Sequence, residues 1–285
     1  MPDTLSQTAA RATEAWTTSK DGTKLFYLRW PVESPRASMT IIHGYAEHSA
    51  RYNYVAAYLN NMGFDVFALD LRGHGRSEGT RGHVSSYSHY HDDVDALREI
   101  VAAETKAKKH FILGHSNGGL ITLSYVVERK PQIEAFIVTG PFLGPANPVP
   151  PVTLFLGKIM AMVYPKLKLP TGIDAADLST DPTVGERYAA DPLVFPTATA
   201  GWFSEAMKTA EATTARAGEI RTPCLIMQGT EDRLADPSKA KPFYDLVGSD
   251  DKKYVDWPGM YHEILNEVEK DRVLGEIGTW LEPRL

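Results

Sequence analysis

The stretch His110-Phe111-Ile112-Leu113-Gly114-His115-Ser116-Asn117-Gly118-Gly119 decides how the rest of the chain is read. Its opening run, His110 to Leu113, is a short apolar segment of the kind that makes a buried strand, and from Gly118 to Glu128 apolar residues recur at helical spacing. Between them, Gly114 to Gly118 fits the pattern Gly-x-Ser-x-Gly. A serine on a sharp strand-to-helix turn needs neighbours without side chains, because its own backbone is strained and strand and helix approach closely there. The turn also sets Ser116 at a helix N-terminus, where amide donors and the helix dipole stabilise developing negative charge. The competing reading is a glycine-rich turn whose serine merely caps the helix.

The same strand-then-helix rhythm extends in both directions. Met39 to Ile42, Asp65 to Leu69, Ala135 to Val138, Cys224 to Met227 and Lys253 to Val255 are short apolar runs, most without polar alternation, as strands buried on both faces should be. Tyr52 to Met62, Tyr87 to Lys106, Pro237 to Val247 and Glu267 to Leu281 have helical periodicity, and Thr13 to Thr18 with Lys24 to Trp30 read as a hairpin through Asp21-Gly22. The expected fold class is α/β: a mostly parallel central sheet flanked by helices. Residues 13–140 and 222–285 form its core and 1–12 a frayed tail. Residues 141–221 show no convincing strand and read as a helical cap inserted at the carboxyl edge of the sheet.

Composition removes several classes. The 285 residues carry 30 basic and 36 acidic side chains, a formal charge of −6, and no long basic run, so a nucleic-acid footprint is not expected. A single cysteine, Cys224, excludes an intrachain disulfide and reads as a buried strand thiol. Met1 to Ala15 lacks the apolar core of a secretory signal, so a cytoplasmic chain is expected. The charge-free run from Ala135 to Gly157 is long enough to cross a bilayer, but Pro141, Pro145, Pro148, Pro150 and Pro151 argue against a spanning helix.

A nucleophilic serine demands a base, and on this fold the chain order is Ser, acid, His. His262 is the only histidine beyond Ser116. The acid should follow the strand Cys224 to Met227; Asp232 is the candidate, with Glu231 and Asp236 as near rivals. The backbone N–H groups of Asn117 and of Tyr45, in the loop His43-Gly44-Tyr45, would form an oxyanion hole.

These residues carry a family resemblance. His43-Gly44-Tyr45-Ala46-Glu47-His48-Ser49-Ala50-Arg51-Tyr52, Leu69 to Gly79, Gly114 to Gly119 and the loops of Asp232 and His262 resemble the monoacylglycerol lipase and lysophospholipase branch of the α/β-hydrolase superfamily. The resemblance spans about Lys20 to Leu281 apart from the insertion. It implies a serine esterase hydrolysing small lipid esters through an acyl-enzyme on Ser116, with no cofactor, no metal and no obligate protein partner. Two positions depart from the branch: Asn117 stands where methionine is usual, and Tyr45 is bulkier than the usual small residue, so that it either narrows the acyl pocket or lends it a hydroxyl. A non-lipid serine hydrolase (short-chain carboxylesterase, lactonase or peptidase) and a non-catalytic ligand-binding relative remain as alternatives.

Three other features need an account. Gly73 to Gly79 invites a dinucleotide reading, but its third glycine falls one residue late, leaving a turn at the rim of the sheet. His89 to Asp93 invites a metal reading, but Asp92 and Asp93 near a helix start read as capping and solvation. Within Val152 to Tyr164, the stripe Val152, Phe155, Leu156, Ile159, Met160 and Val163 is expected to face an acyl pocket, with Leu154, Ala161 and Met162 on the flank and available to a membrane or micelle surface. Phe142, Phe155, Ile159 and Trp202 are the expected pocket residues, with further wall from the run Pro192 to Phe203.

Overall fold

A computed structural model of the chain describes residues 11–147 and 151–285, with backbone alone for 151 and 153–156. The expected tail, 1–12, lies almost wholly outside the described residues. In chain order the elements are β1 (Thr13–Thr18), β2 (Lys24–Trp30), β3 (Ala37–Ile42), α1 (Asn53–Asn61), β4 (Phe64–Leu69), α2 (Tyr87–Glu104), β5 (His110–His115), α3 (Asn117–Arg129) and β6 (Ala135–Thr139). Then follow α4 (Pro151–Val163), β7 (Lys168–Pro170), α5 (Pro182–Ala190), β8 (Thr197–Thr199), α6 (Ala200–Ala215), β9 (Cys224–Gly229), α7 (Ala240–Leu246), β10 (Lys252–Trp257) and α8 (Lys270–Leu281).

The hairpin forms as read: β1 pairs antiparallel with β2, and Asp21 accepts from the Thr23 amide beside Gly22 at φ +88°. Eight strands make one sheet in the order β1-β2-β4-β3-β5-β6-β9-β10, parallel from β4 to β10. Alternate strand residues feed two separate cores. Phe67, Ile112, Phe136 and Ile226 face α2, α3 and α6, while Val66, Leu113, Ile137 and Leu225 face α1 and α8. Both faces are therefore apolar, and the strands read as unbroken apolar runs for that reason. Cys224 is a buried free thiol in β9.

Two expectations need correction. The interval between β6 and β9 does contain strand: β7 and β8 pair antiparallel over three residues each, too short to register as a pattern. Asp92 and Asp93 do not cap α2. The helix begins at Tyr87, its cap is the Ser86 hydroxyl, and both aspartates lie in the next turn. Asp93 is buried against Arg72, with Nη2 to Oδ1 at 2.6 Å and Nε to Oδ2 at 2.8 Å, and Asp92 pairs with Arg129 at 2.6 Å. The segment Gly73 to Gly79 is the rim turn it was read to be, with the Gly73 amide donating to the Glu78 carbonyl at 2.8 Å and the Ser77 hydroxyl to the Asp70 carbonyl at 2.5 Å.

Parallel strands release their loops at one edge, so the turns after β3, β5, β6, β9 and β10 converge there. The turn after β5 is the tightest. A Cβ on Gly118 would land inside the carbonyl oxygen of Ile42, and one on Gly114 inside the Thr122 hydroxyl and the Gly118 carbonyl. Backbone cannot yield as a flexible side chain can. Gly118→Ala is therefore expected to cost about 3 kcal/mol or more of folding free energy, read as a lower urea midpoint at unchanged slope.

Candidate active site

Ser116 holds φ +54° and ψ −117°, a conformation that costs a non-glycine residue free energy and persists because its surroundings impose it. Those surroundings are specific. The Ser116 amide donates to the Thr139 carbonyl at 3.0 Å, and its own carbonyl accepts from Leu120 and Phe142, each at 3.0 Å. The Ser116 side chain makes no capping bond to α3, which removes the helix-cap reading of the motif. Its hydroxyl is left facing the cavity described below.

His262 enters from the loop after β10, and Asp232 from the loop after β9. Nδ1 of His262 donates to Oδ2 of Asp232 at 2.7 Å, with both residues buried. A carboxylate only accepts, so the ring proton sits on Nδ1 and the Nε2 lone pair stays free of it. The other carboxylate oxygen, Oδ1, accepts from the amides of Leu234 and Ala235, both at 2.9 Å. Of the rival acids, Asp236 caps the short helical turn Pro237–Lys239 and Glu231 is exposed.

The electrostatics follow from burial set against charge. Burial alone would raise the Asp232 pKa, but the His262 ring and the two amides outweigh it and hold the carboxyl below its ordinary value. Burial alone would likewise keep His262 neutral. The Asp232 carboxylate, with Glu263 and Glu47 beyond it, reverses this and holds the imidazole above its ordinary 6.5. His115 goes the other way: burial and the neighbouring His262 lower it, and its Nδ1 donates to the Thr139 carbonyl at 3.0 Å. The rings of His115 and His262 lie 4.8 Å apart.

The loop after β3 faces the Ser116 turn. His43 accepts the Leu71 amide on Nε2 at 2.9 Å and donates from Nδ1 to the Gly44 carbonyl at 2.6 Å, which pins the loop to the rim. Among the described residues, neither the Tyr45 amide nor the Asn117 amide has a hydrogen-bond acceptor. Two backbone donors beside Ser116 are thus unspent. The Tyr45 hydroxyl is not: it donates to the carbonyls of Gly82, at 2.8 Å, and Thr197, at 3.3 Å, while the ring stacks on Trp202 at 3.7 Å. The Asn117 carboxamide oxygen accepts from Tyr87 at 2.6 Å.

A group that sequence reasoning left unassigned surrounds this centre. Arg51 forks onto Glu263 at 2.7 and 2.8 Å and reaches Glu47 at 2.8 Å; Glu47 also accepts from the Gly44 amide and the Tyr52 hydroxyl. All four side chains are largely buried. The only signal for them was their position in the run His43 to Tyr52 and beside His262, with nothing to show that they pair.

Ser116 and His262 open on a cavity of about 1550 Å³, well above the ~300–1,000 Å³ of ordinary small-molecule pockets. Its lining is mainly apolar, with Phe142, Trp202, Phe203, Phe243 and Leu246 among the large side chains, and includes Glu47, His115 and Glu263. Of the residues expected to line a pocket, Phe142 and Trp202 border this cavity and Ile159 does not. The helix α4 turns Gly157, Lys158, Ala161 and Met162 toward the cavity, and Val152, Ile159 and Val163, read as the inner stripe, are 70%, 40% and 77% exposed. In a helix apolar nearly all round, apolarity alone does not say which face turns inward. The side chains of Leu154, Phe155 and Leu156 lie outside the described residues.

The family model described as "Serine aminopeptidase, S33" matches residues 33–269. The chain belongs to this family of α/β-hydrolases. Within it the similarity is to the monoacylglycerol lipase-like branch. The chain is 33% identical over 266 residues to a monoacylglycerol lipase of Mycolicibacterium smegmatis, covering 93% of this chain and 95% of that protein. It is 33% identical to the phospholipase YtpA of Bacillus subtilis over 246 residues, covering 86% and 94%. Among solved structures, the monoacylglycerol lipase of Paleococcus ferrophilus superposes with a TM-score of 0.84 at 29% identity, covering 92% of this hydrolase and 99% of that chain.

The Asp232 carboxylate is the cause of the raised His262 value, so the two are separable by titration. In the NMR spectrum, the His262 ring protons are expected to titrate above pH 6.5, and in Asp232→Asn the midpoint should fall below it as burial takes over.

Proposed function

We propose that this hydrolase cleaves carboxylic esters of small lipids, of the monoacylglycerol or lysophospholipid type, through an acyl-enzyme on Ser116. The observation that carries this is a strained, uncapped serine beside a buried histidine–aspartate pair, opening on a large and mainly apolar cavity. In this reading the Ser116 hydroxyl oxygen attacks the ester carbonyl while Nε2 of His262 takes its proton. The Tyr45 and Asn117 amides hold the oxyanion, each worth about 3 kcal/mol by comparison with measured donors. The tetrahedral adduct collapses, breaking the bond to the alcohol, which leaves with the proton from His262. Water then attacks the acyl-enzyme, with His262 again as base, and releases the acid. Asp232 orients the ring and stabilises its cation.

An aminopeptidase reading, suggested by the family's description, has less support. Capture of a peptide's ammonium group needs a free acid near the serine, and both oxygens of Glu47 and of Glu263 are already spent on Arg51 and neighbouring donors. A mainly apolar cavity of this size suits an acyl chain better than a peptide.

Residues 141–221 form the cap in this proposal, and the remainder of 13–285 the catalytic core. The cap carries the exposed apolar side chains Val152, Met162, Val163, Tyr164 and Leu169, and Met162 both lines the cavity and is 84% exposed. A side chain at once on the cavity rim and in solvent suits an enzyme that takes substrate from a lipid surface. No helix among the described residues is long and apolar enough to cross a membrane, so this contact would be peripheral.

Ser116→Ala should abolish turnover of long-chain monoacylglycerol, lysophospholipid and p-nitrophenyl esters together with labelling by a fluorophosphonate, while the native enzyme prefers these to acetyl esters. Turnover by Ser116→Ala at the native rate would sink the proposal. The base must be neutral to accept a proton, so kcat/KM should rise with pH through a midpoint above 6.5. The double variant Val152→Asp with Val163→Asp should hydrolyse a soluble short ester normally but lose vesicle sedimentation and turnover of aggregated substrate; unchanged vesicle binding would remove the surface role.

A further inference from the structure

Strand β9 lies between β6 and β10, a position where side chains are expected to be apolar, yet it holds Gln228, which is buried. Its Nε2 donates to Oδ2 of Asp232 at 3.0 Å and to the Gly229 carbonyl at 3.1 Å. Both acceptors are oxygens without a proton to give, so the amide's orientation is chemically determined: turned over, its own oxygen would face both of them. The orientation has a cost, because Oε1 is left buried without a partner. A strand serving only the core would hold an apolar residue here and avoid that cost.

The bond ends on a significant atom. Oδ2 is the same oxygen that accepts Nδ1–H of His262 at 2.7 Å, whereas Oδ1 is spent on the Leu234 and Ala235 amides. Three of the four donors to this carboxylate fix its plane, and Gln228 alone shares an oxygen with the imidazole.

We infer that Gln228 is a positioning residue of the reaction, holding the Asp232 carboxylate in plane with the His262 ring and drawing charge from the oxygen that binds it. This rests on the proposed roles of Ser116, Asp232 and His262. Without the Gln228 donor, more negative charge remains on Oδ2, the imidazolium is held more tightly, and the ring gives up its proton at higher pH. The other charged or titratable groups near His262 are Glu263, Glu47 and His115, with Arg51 offsetting part of the glutamates' charge; none of them bonds Oδ2. Their contribution is common to native and variant enzyme.

The test is the pH profile of p-nitrophenyl ester hydrolysis by Gln228→Met, which keeps the volume and removes the donor. Loss of a hydrogen bond to a charged group should lower kcat roughly tenfold with KM little changed, and the acid limb should move to higher pH. A native kcat and acid limb, or a lowered Tm with an unmoved limb, would overturn the inference, since a purely structural residue affects stability alone. Should Gln228→Met fail to fold, Gln228→Glu decides. Two carboxyls on one hydrogen bond share a proton, so the variant's profile should become bell-shaped: activity rises as His262 loses its proton, while the protonated Glu still donates to Oδ2 as the amide did, and declines at higher pH as the shared proton is lost. A native profile in Gln228→Glu would overturn the inference. Ser116→Ala in the same assay separates the two levels: if it turns over normally, the serine reading fails, and if it is dead while both Gln228 variants behave as native, only the present inference does.

Discussion

The carbonyl oxygen of Ile42 and the backbone at Gly118 occupy adjoining space with no room for a side chain between them. This contact sets how close α3 comes to the sheet, and from it the rest of the site follows. Bringing the helix in so tightly goes with a turn after β5 that passes through positive φ at Ser116 and lifts that residue's side chain clear of the helix it would otherwise cap. The amide of Asn117, like the first amides of any helix, has no intrahelical acceptor, and the tight turn sets it beside the Ser116 hydroxyl. The remaining elements respond to it: the loop after β3 is tied down by His43, and the turn after β6 receives the Ser116 carbonyl through Phe142.

Charge is handled by saturation. Arg51 is shared between Glu47 and Glu263, so two buried carboxylates and one guanidinium are held as a set rather than as isolated ions, which would be far more costly. The set flanks the histidine–aspartate pair and adds to the Asp232 carboxylate in favouring a protonated imidazole, the species that the proposed proton transfer from Ser116 would form. His115, lowered by burial and by His262, adds no competing cation at neutral pH.

The strands of the core, the hairpin, and the positions of Ser116, Asp232 and His262 were legible because each depends on local pattern: apolar runs, turn residues, and the order of a nucleophile, an acid and a base along an alternating fold. What escaped depends on partners remote in sequence. Asp93 looked like a helix-start aspartate, and only Arg72, on the loop after β4, makes it a buried ion. Gln228 is one polar letter in an apolar strand, and its meaning appears only when Asp232 folds back upon it. Helix α4 failed for a different reason: with apolar residues nearly all round, its sequence specifies a helix and leaves its rotation to the surfaces it meets.

The Tyr45 hydroxyl joins two carbonyls that belong to different parts of the chain, Gly82 beside the core and Thr197 in β8, while the Tyr45 amide stands next to Ser116. The backbone beside Ser116 is thereby tethered, through one rigid ring, to β8, whose Ala198 and Thr199 line the cavity. A displacement of β8 would strain or break the Thr197 link and the stacking of the ring on Trp202. The loop after β3 and β8 are mechanically one linkage, so the order of one depends on the place of the other.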